Sequence, residues 1–453
     1  MYEANGIHVL SEVVSSGDAY LTQLYALKCL GWATSDGSKL SEPALEKLRE
    51  SVREATAEEL ASLVDVLQHG SHEEKDGEAL LCASIATRGQ PDALRDVGVV
   101  PPLIEMLKAG SALQTLWAAN ALGTLACSND ENRVAIAEAG GVTPLVALLR
   151  TGTEEQTHQA ARALGNVAIE NANVAVIVRE EAISPLVALV RSGTDEQKLF
   201  AAYTLGNLAD SEENRSAIAS EDAISPLVTL LETGTDQQKE EAALALGNIA
   251  FNNDANCVAI SREGGISPLV ALVRAGTTEH KQSAAYALGK LASNNDANRV
   301  EIAREGGISP LVALVRAGTA EHKQWATYAL GKLAANDANR VEIAREGGIP
   351  PLVALVRAGT DYQKEEAALA LGNIASNNDA NCVEIAREGG ISPLVELVRA
   401  GTDEQKEYAA LALGNIASNN DANRVEIARE GGIPPLVALV RAGTAEHKQW
   451  AAH

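Results

Sequence analysis

Aromatic residues make up only 3% of the 453 residues, and two of them are Phe. A core of the size this chain can bury must therefore come from Ala, Leu, Val and Ile, side chains that suit closely stacked helices. Positive charge is in the minority: 37 Lys and Arg against 61 Asp and Glu leave a net charge of −24. Such a surface argues against nucleic acid and anionic membrane faces, which need basic residues. It favours solubility and basic partners, although simple solvation of a long surface accounts for the same acids. The five cysteines, Cys29, Cys82, Cys127, Cys257 and Cys382, are odd in number and form no C-x-x-C pair, which points to free thiols in a reducing compartment. Cys257 and Cys382 stand where other copies of the repeat described below have Arg299, Arg340 and Arg424, and read as drift. No apolar run approaches the roughly 18 residues of a spanning helix, so direct membrane insertion is not expected. The opening Met1-Tyr2-Glu3 lacks the glycine that myristoylation requires.

Catalytic signatures are missing too. There is no GxxxxGK[ST], no GxGxxG after a strand, no HExxH and no GxSxG. His280, His322 and His447 are one repeat position seen three times, expected to be solvated on the first turn of a helix. No carboxylate pair is unique to one repeat, whereas an active site needs a unique constellation. The chain is read as a non-enzyme without metal or cofactor.

What is present is a repeat. Asp296 to Ala334 reads DANRVEIAREGGISPLVALVRAGTAEHKQWATYALGKLA, and nearly the same letters start at Asp254, Asp337, Asp379 and Asp421, 41 or 42 residues apart. A fixed period of this length means a stack of small units that bury their apolar faces only against each other. Each unit parses into three helices. The first covers Asn298 to Glu305, with Asp296 or Asn298 as N-cap and Gly306-Gly307 as the stop. The second opens at Ser309 as N-cap with Pro310 at the first helical position and ends at Gly318. Thr319 caps the third and longest. Thr153, Thr194, Thr235, Thr360 and Thr402 are each followed three residues later by Gln, the capping-box spacing. In two units the double glycine becomes Glu181-Ala182 and Asp222-Ala223, where a different stop geometry is expected.

The proline that marks the second helix recurs at Pro102, Pro144, Pro185, Pro226, Pro268, Pro310, Pro351, Pro393 and Pro435, always 41 or 42 residues on. Nothing is inserted between copies, so there is no room for a lid or a second domain. Residues 1–100 read as degenerate capping repeats of the same solenoid, and 101–453 as the regular array with a truncated last repeat. In the first part, 59–86 and 6–33 fit second and third helices, with Ser71 and Glu74 as a capping box. The longer link 34–56 holds an amphipathic helix around 43–54. The chain stops at Trp450-Ala451-Ala452-His453, midway through a third helix.

A unit of this length with one short and two longer helices, a GGIPPLVALV second helix and an ALGNIAS third helix resembles the armadillo repeat, as in vacuolar-adaptor-like and related arrays. The HEAT repeat, usually two helices, is the nearest competitor, and the double glycine and short first helix argue against it. The resemblance is strong from about residue 100 onward. It implies an all-α, right-handed superhelical armadillo α-solenoid whose third helices line a concave groove. It also implies that an asparagine late in the third helix hydrogen-bonds the main chain of an extended peptide. The matching position here, after the Leu-Gly of the third helix, holds Trp32, Ser84, Thr124, Asn166, Asn207, Asn248, Lys290, Lys332, Asn373 and Asn415. Asn offers both donor and acceptor to a peptide amide; bridging neighbouring repeats is its alternative role.

One and two turns earlier lie companion columns on the same face. Four residues before, Tyr203, Tyr286 and Tyr328 alternate with Arg162, Leu244, Leu369 and Leu411; eight before come His158, Leu199, Gln282 and Gln324 with Glu240, Glu365 and Glu407. The candidate peptide-binding set is therefore Asn166, Asn207, Asn248, Lys290, Lys332, Asn373, Asn415, Tyr203, Tyr286, Tyr328, Glu240, Glu365 and Glu407. Lys290 and Lys332 either select a complementary ligand or neutralise neighbouring Glu residues. Trp117, Phe200, Trp325 and Tyr408, seven before, are expected to pack between helices. The implied function is an adaptor or scaffold that binds extended segments of partner proteins with basic character. The alternatives are a nuclear transport receptor of the import-adaptor type, weakened by the lack of Trp at the minus-four position, and a structural or tethering component that uses its outer surface. Placement is expected to be cytoplasmic, with nuclear or partner-mediated membrane association as alternatives.

Overall fold

A computed structural model describes residues 56–87, 90–418 and 420–444. The expectations for 6–55, Trp32 and Cys29 among them, and for His447 and Trp450 to His453 lie outside the described residues. Those described form 28 helices and no strand. The chain divides into two compact units, Met1–Asp210 and Ser211–His453.

In the first unit, Ala57–His69 and His72–Thr87 precede three triplets. The triplets are Pro91–Asp96, Val100–Ala109 and Ala112–Ser128; Asp130–Glu138, Val142–Thr151 and Glu154–Val167; and Asn171–Arg179, Ile183–Ser192 and Asp195–Leu208. The second unit repeats the triplet from Glu212–Ser220, Ile224–Thr233 and Asp236–Ala250 through to Asp421–Arg429 and Ile433–Ala442. The expected Ser71–Glu74 capping box is formed, each backbone N–H donating to the other side chain.

The Asp296 repeat shows how the letters make the shape, with two corrections. Its first helix is Asp296–Arg304, and the N-cap is Asn295, whose Oδ1 accepts from the Asn298 N–H at 2.9 Å. Asp296 is thus inside the helix, where its charge faces the positive end of the dipole. The second helix begins one residue earlier than Ser309, at Ile308, with Gly307 before it in αR geometry. The chain turns through Gly306 at φ +73° and re-enters helix at once, leaving no extended residue for a side-chain cap. Ile302, Ile308, Leu311, Leu330 and Leu333 are fully buried at the centre of the layer.

Where Gly-Gly is absent the stop does not change. Glu181 at φ 58° and Asp222 at φ 61° take the same left-handed turn, and Ala182 and Ala223 follow in αR. The turn is imposed by the packing around it, and a strained residue is tolerated there.

Within each compact unit, three sets of side chains tie a layer to the one before. The third residue of the third helix closes its own cap and reaches back. Gln363 Oε1 accepts from the Thr360 N–H, and its Nε2 donates to the Ala320 carbonyl at 2.8 Å. His280 and His322 replace this Gln. Each accepts from its Thr N–H at Nδ1 and meets a carbonyl through Nε2, of Asp236 at 2.7 Å and Thr278 at 2.8 Å. These histidines are buried, 3% and 5% exposed, and not solvated as their helix position suggested. The geometry calls for the neutral Nε2–H tautomer.

The second set is the asparagine of each first helix. Asn298 Nδ2 donates to two carbonyls of the preceding repeat, Leu291 O at the end of its third helix and Cys257 O in its first helix. Asn256, Asn339, Asn381 and Asn423 make the same pair of bonds. The residue after this asparagine stops the third helix's carbonyls: Arg299 Nε donates to Ala292 O, and the Cys382 thiol stands in by reaching Ala375 O. The cysteines thus keep part of the arginine's contact, a role the reading as drift missed. Third, arginines of the second helices, such as Arg274 and Arg316, donate to carbonyls at the first-helix stop of the next layer.

Candidate functional site

Within each compact unit the third helices pack directly on one another, and the glycine of Leu-Gly allows it. A Cβ on Gly123 would sit 3.2 Å from Ala163, and on Gly372 3.3 Å from the Ala412 backbone. On Gly165, Gly247 and Gly289 it would strike the rings of Tyr203, Tyr286 and Tyr328 at 2.5–2.7 Å. Each tyrosine of the minus-four column therefore lies on the preceding repeat's glycine.

That placement decides what the next position can do. Tyr203 donates its hydroxyl to Asn166 Oδ1 at 3.3 Å, and Tyr286 to Asn248 Oδ1 at 2.5 Å. Tyr328 has no asparagine to reach and pairs with Ser293 Oγ at 3.1 Å. The asparagines also reach backward. Nδ2 of Asn166, Asn207, Asn373 and Asn415 donates to the carbonyls of Gly123, Gly165, Gly331 and Gly372 at 2.8–3.0 Å. Bridging of neighbouring repeats is thus observed at these four positions. Asn166 is buried and engaged at both ends. Asn207, Asn373 and Asn415 are half-buried, and the described residues donate no hydrogen bond to their Oδ1.

Lys290 and Lys332 behave differently. Neither has a carboxylate within ion-pair distance among the described residues, so the expected neutralisation by neighbouring Glu residues is not seen. The Lys290 Nζ lies over three rings, 4.3 Å from the Phe251 centroid, 4.6 Å from Tyr328 and 5.2 Å from Tyr286. Lys332 Nζ lies 4.9 Å from the same Tyr328 ring. Burial, and next the charge of Lys332, pull the Lys290 ammonium down to about 8. Burial pushes the Tyr286 hydroxyl up to about 12.

Glu240, Glu365 and Glu407 are half-buried on the same helices. Burial raises the carboxyls of Glu240 and Glu365, with Glu279 and Glu366 as the next contributors. Trp325 packs between helices as expected, its ring 4.8 Å from Tyr286 and 6.3 Å from Tyr362. Phe200 stacks on His158 at 5.1 Å. Two residues of this seven-before column escaped the sequence reading. Glu366 is 6% exposed and its Oε2 has no hydrogen-bond partner among the described residues. Glu241 is pushed up to about 7 by burial and by Glu240. Both were legible as charged letters in a column that elsewhere holds Trp117, Gln159, Phe200, Ser283, Trp325 and Tyr408.

A family model described as ARMC5 matches residues 122–370, and one described as Armadillo/beta-catenin-like repeat matches 378–418. The chain belongs to the armadillo-repeat family. Solved structures agree with the armadillo assignment. A crystal structure of an engineered protein from the Northeast Structural Genomics Consortium is 33% identical, with a TM-score of 0.76 over 88% of this chain and 98% of that one. Another engineered protein from the same source is 33% identical, with a TM-score of 0.50 over 52% of this chain and 96% of its own. No curated protein matches significantly. Armadillo arrays in general mediate protein–protein interaction and are non-enzymatic scaffolds. Among the described residues of this armadillo chain, no group of three or more His, Cys, Asp or Glu is placed to hold a metal, and no single helix is long and apolar enough to cross a membrane.

Proposed function

We propose that the chain is an adaptor whose third-helix face takes extended segments of partner proteins. The observation that carries this reading is the half-buried state of Asn207, Asn373 and Asn415, each with its amide nitrogen anchored and its Oδ1 unengaged. An anchored amide holds its oxygen in one orientation, so the acceptor is preorganised for a peptide N–H. Stacked helices lie about 8–10 Å apart, and an extended chain advances about 3.3–3.6 Å per residue. The acceptors of the adjacent layers at Asn373 and Asn415 would thus meet peptide residues two or three apart. Asn166 and Asn248 contribute packing to this face, because tyrosine hydroxyls occupy their oxygens. Glu240, Glu365 and Glu407 supply the preference for basic side chains, and cytoplasmic placement belongs to the same reading.

A second reading has its own observation. Val258, Val300, Val341, Val383 and Val425 form a row on successive first helices and are 43–68% exposed. A tether that docks through its outer edge would use this row. One experiment separates the two: capture of partners from a displayed-peptide library, followed by affinity measurement on two variants. Asn373→Ala with Asn415→Ala is expected to weaken binding at least tenfold, and Val341→Ser with Val383→Ser to leave it unchanged. The opposite pattern overturns the groove reading in favour of the valine row.

A further inference from the structure

The Lys290–Lys332 pair is out of keeping with the rest of the surface. In a chain with 61 acidic residues, two half-buried lysines share one ring and no carboxylate comes within ion-pair distance of either among the described residues. Elsewhere arginines of the same repeats take nearby acids routinely, as Arg304 does with Glu301 and Glu305. The two ammoniums lie against the same Tyr328 ring at 4.6 and 4.9 Å, so the gap between them cannot exceed the sum of those distances. Like charges at such a separation in a partly desolvated site repel. The rings of Phe251, Tyr286 and Tyr328 offset some of that, because their faces are electron-rich. The nearest acid in electrostatic terms is Glu366, which attracts both lysines without an ion pair and is buried with Oε2 unpartnered. The two ammoniums thus share one buried carboxylate that neither reaches within ion-pair distance among the described residues, and positive charge is in excess.

From this geometry we infer that the Lys290–Lys332 pair is an anion-accepting subsite of the third-helix face, taking an aspartate or glutamate carboxylate of the bound segment. The inference rests on the groove reading above and refines it: the segment is acidic at the middle layers and basic beside Glu365 and Glu407. In an extended strand, side chains two residues apart share a face and lie about 7 Å apart. One acidic residue between the lysines, or two acids in an i, i+2 pair, matches the available span. The carboxylate brings an acceptor within reach, removes the repulsion between the lysines and raises the Lys290 ammonium back toward its ordinary value. Because the chain as a whole repels acidic peptides, attraction of one must come from this local pair.

The test uses the full chain and three capped peptides of equal length, alternating Glu–Ser, Gln–Ser and Lys–Ser. Binding is followed by fluorescence anisotropy, and lysine protection by reductive methylation read out by mass spectrometry. The Glu–Ser peptide is expected to bind at least tenfold tighter to wild type than to Lys290→Gln with Lys332→Gln. Lys290→Arg with Lys332→Arg should stay within threefold of wild type. Lys281→Gln with Lys323→Gln removes the same charge from the first turns of the same helices and should also stay within threefold. In unmutated protein the Glu–Ser peptide should shield Lys290 and Lys332 from methylation, a result that does not depend on any variant folding. Unchanged affinity in the double glutamine variant, equal losses in the Lys281/Lys323 control, or no shielding of the pair overturns the subsite. If the pair proves irrelevant while Asn373→Ala with Asn415→Ala still loses the peptide, the subsite falls and the groove reading stands. If neither set of changes affects a saturable complex, both fall.

Discussion

Two columns of asparagine run through this molecule with the same period and different fates. On the first helices, an asparagine stands in every described copy from Asn132 to Asn423. From Asn256 onward its side chain is spent on two buried carbonyls of the preceding repeat, one in that repeat's third helix and one in its first. On the third helices the position after Leu-Gly runs Thr124, Asn166, Asn207, Asn248, Lys290, Lys332, Asn373, Asn415. There Asn207, Asn373 and Asn415 give only the amide nitrogen to the stack, while Asn166 gives both ends. The first-helix asparagine does not vary from layer to layer and ties the layers together, whereas the position after Leu-Gly varies and is only partly used by the stack. Burial of a polar group leaves no freedom in what satisfies it, whereas a half-exposed one can be exchanged when the ligand is different.

The sharpest way to break this contrast is to remove one member of each column. Asn339→Ala strands the Arg299 and Leu333 carbonyls and is expected to cost roughly 2–4 kcal/mol by the urea midpoint. Asn373→Ala opens a half-exposed site to water and should cost well under half of that. Equal losses would erase the distinction.

Next is Glu241, a largely buried carboxyl of the seven-before column that works against stability. Its carboxyl titrates at about 7 in the folded chain, raised from an ordinary 4.5. The folded state therefore favours the protonated acid. Stability is greatest below the ordinary value, falls as pH rises through the window up to about 7, and is level above it. Glu241→Gln should remove that slope and raise stability at pH 8 by about 1–2 kcal/mol, measured by denaturation at pH 4 and pH 8. A parallel shift at both pH values would refute it.

A smaller effect tests apparent variation. His322 differs from Gln363 in letter but makes the same two contacts. His322→Gln should be neutral in thermal unfolding, while His322→Ala loses the cap and the tie, about 1 kcal/mol. The smallest concerns the strained turn. Glu181→Gly should gain about 0.5 kcal/mol, because relief of the φ 58° geometry outweighs the added freedom of glycine. Destabilisation by this change would mean that the Glu181 side chain has a role beyond its turn.

The period, the three-helix unit, the capping boxes and the Leu-Gly face were legible in the letters because each depends on local chemistry at fixed spacing. The helix starts at Asn295 and Ile308 were misplaced because the turn at Gly306 leaves no extended residue before the second helix. The histidines read as solvated went wrong, and bridging by the asparagines stood only as an alternative, for a common reason. Both side chains are satisfied by the backbone of the preceding layer, a contact 42–44 residues away that no window within one repeat reveals. The pairing of Tyr with the preceding glycine is of the same kind. Lys290 and Lys332 were identifiable as letters, but their lack of acid partners depends on where Glu366 ends up.

The side chain that closes each long helix's cap also grips a carbonyl made some forty residues sooner. A nascent repeat emerging from the ribosome therefore meets its docking partner already formed, and its own start is completed only on that template. Such backward ties favour layer-by-layer docking that follows translation, and a lesion in one layer should compromise its downstream neighbour more than its upstream one.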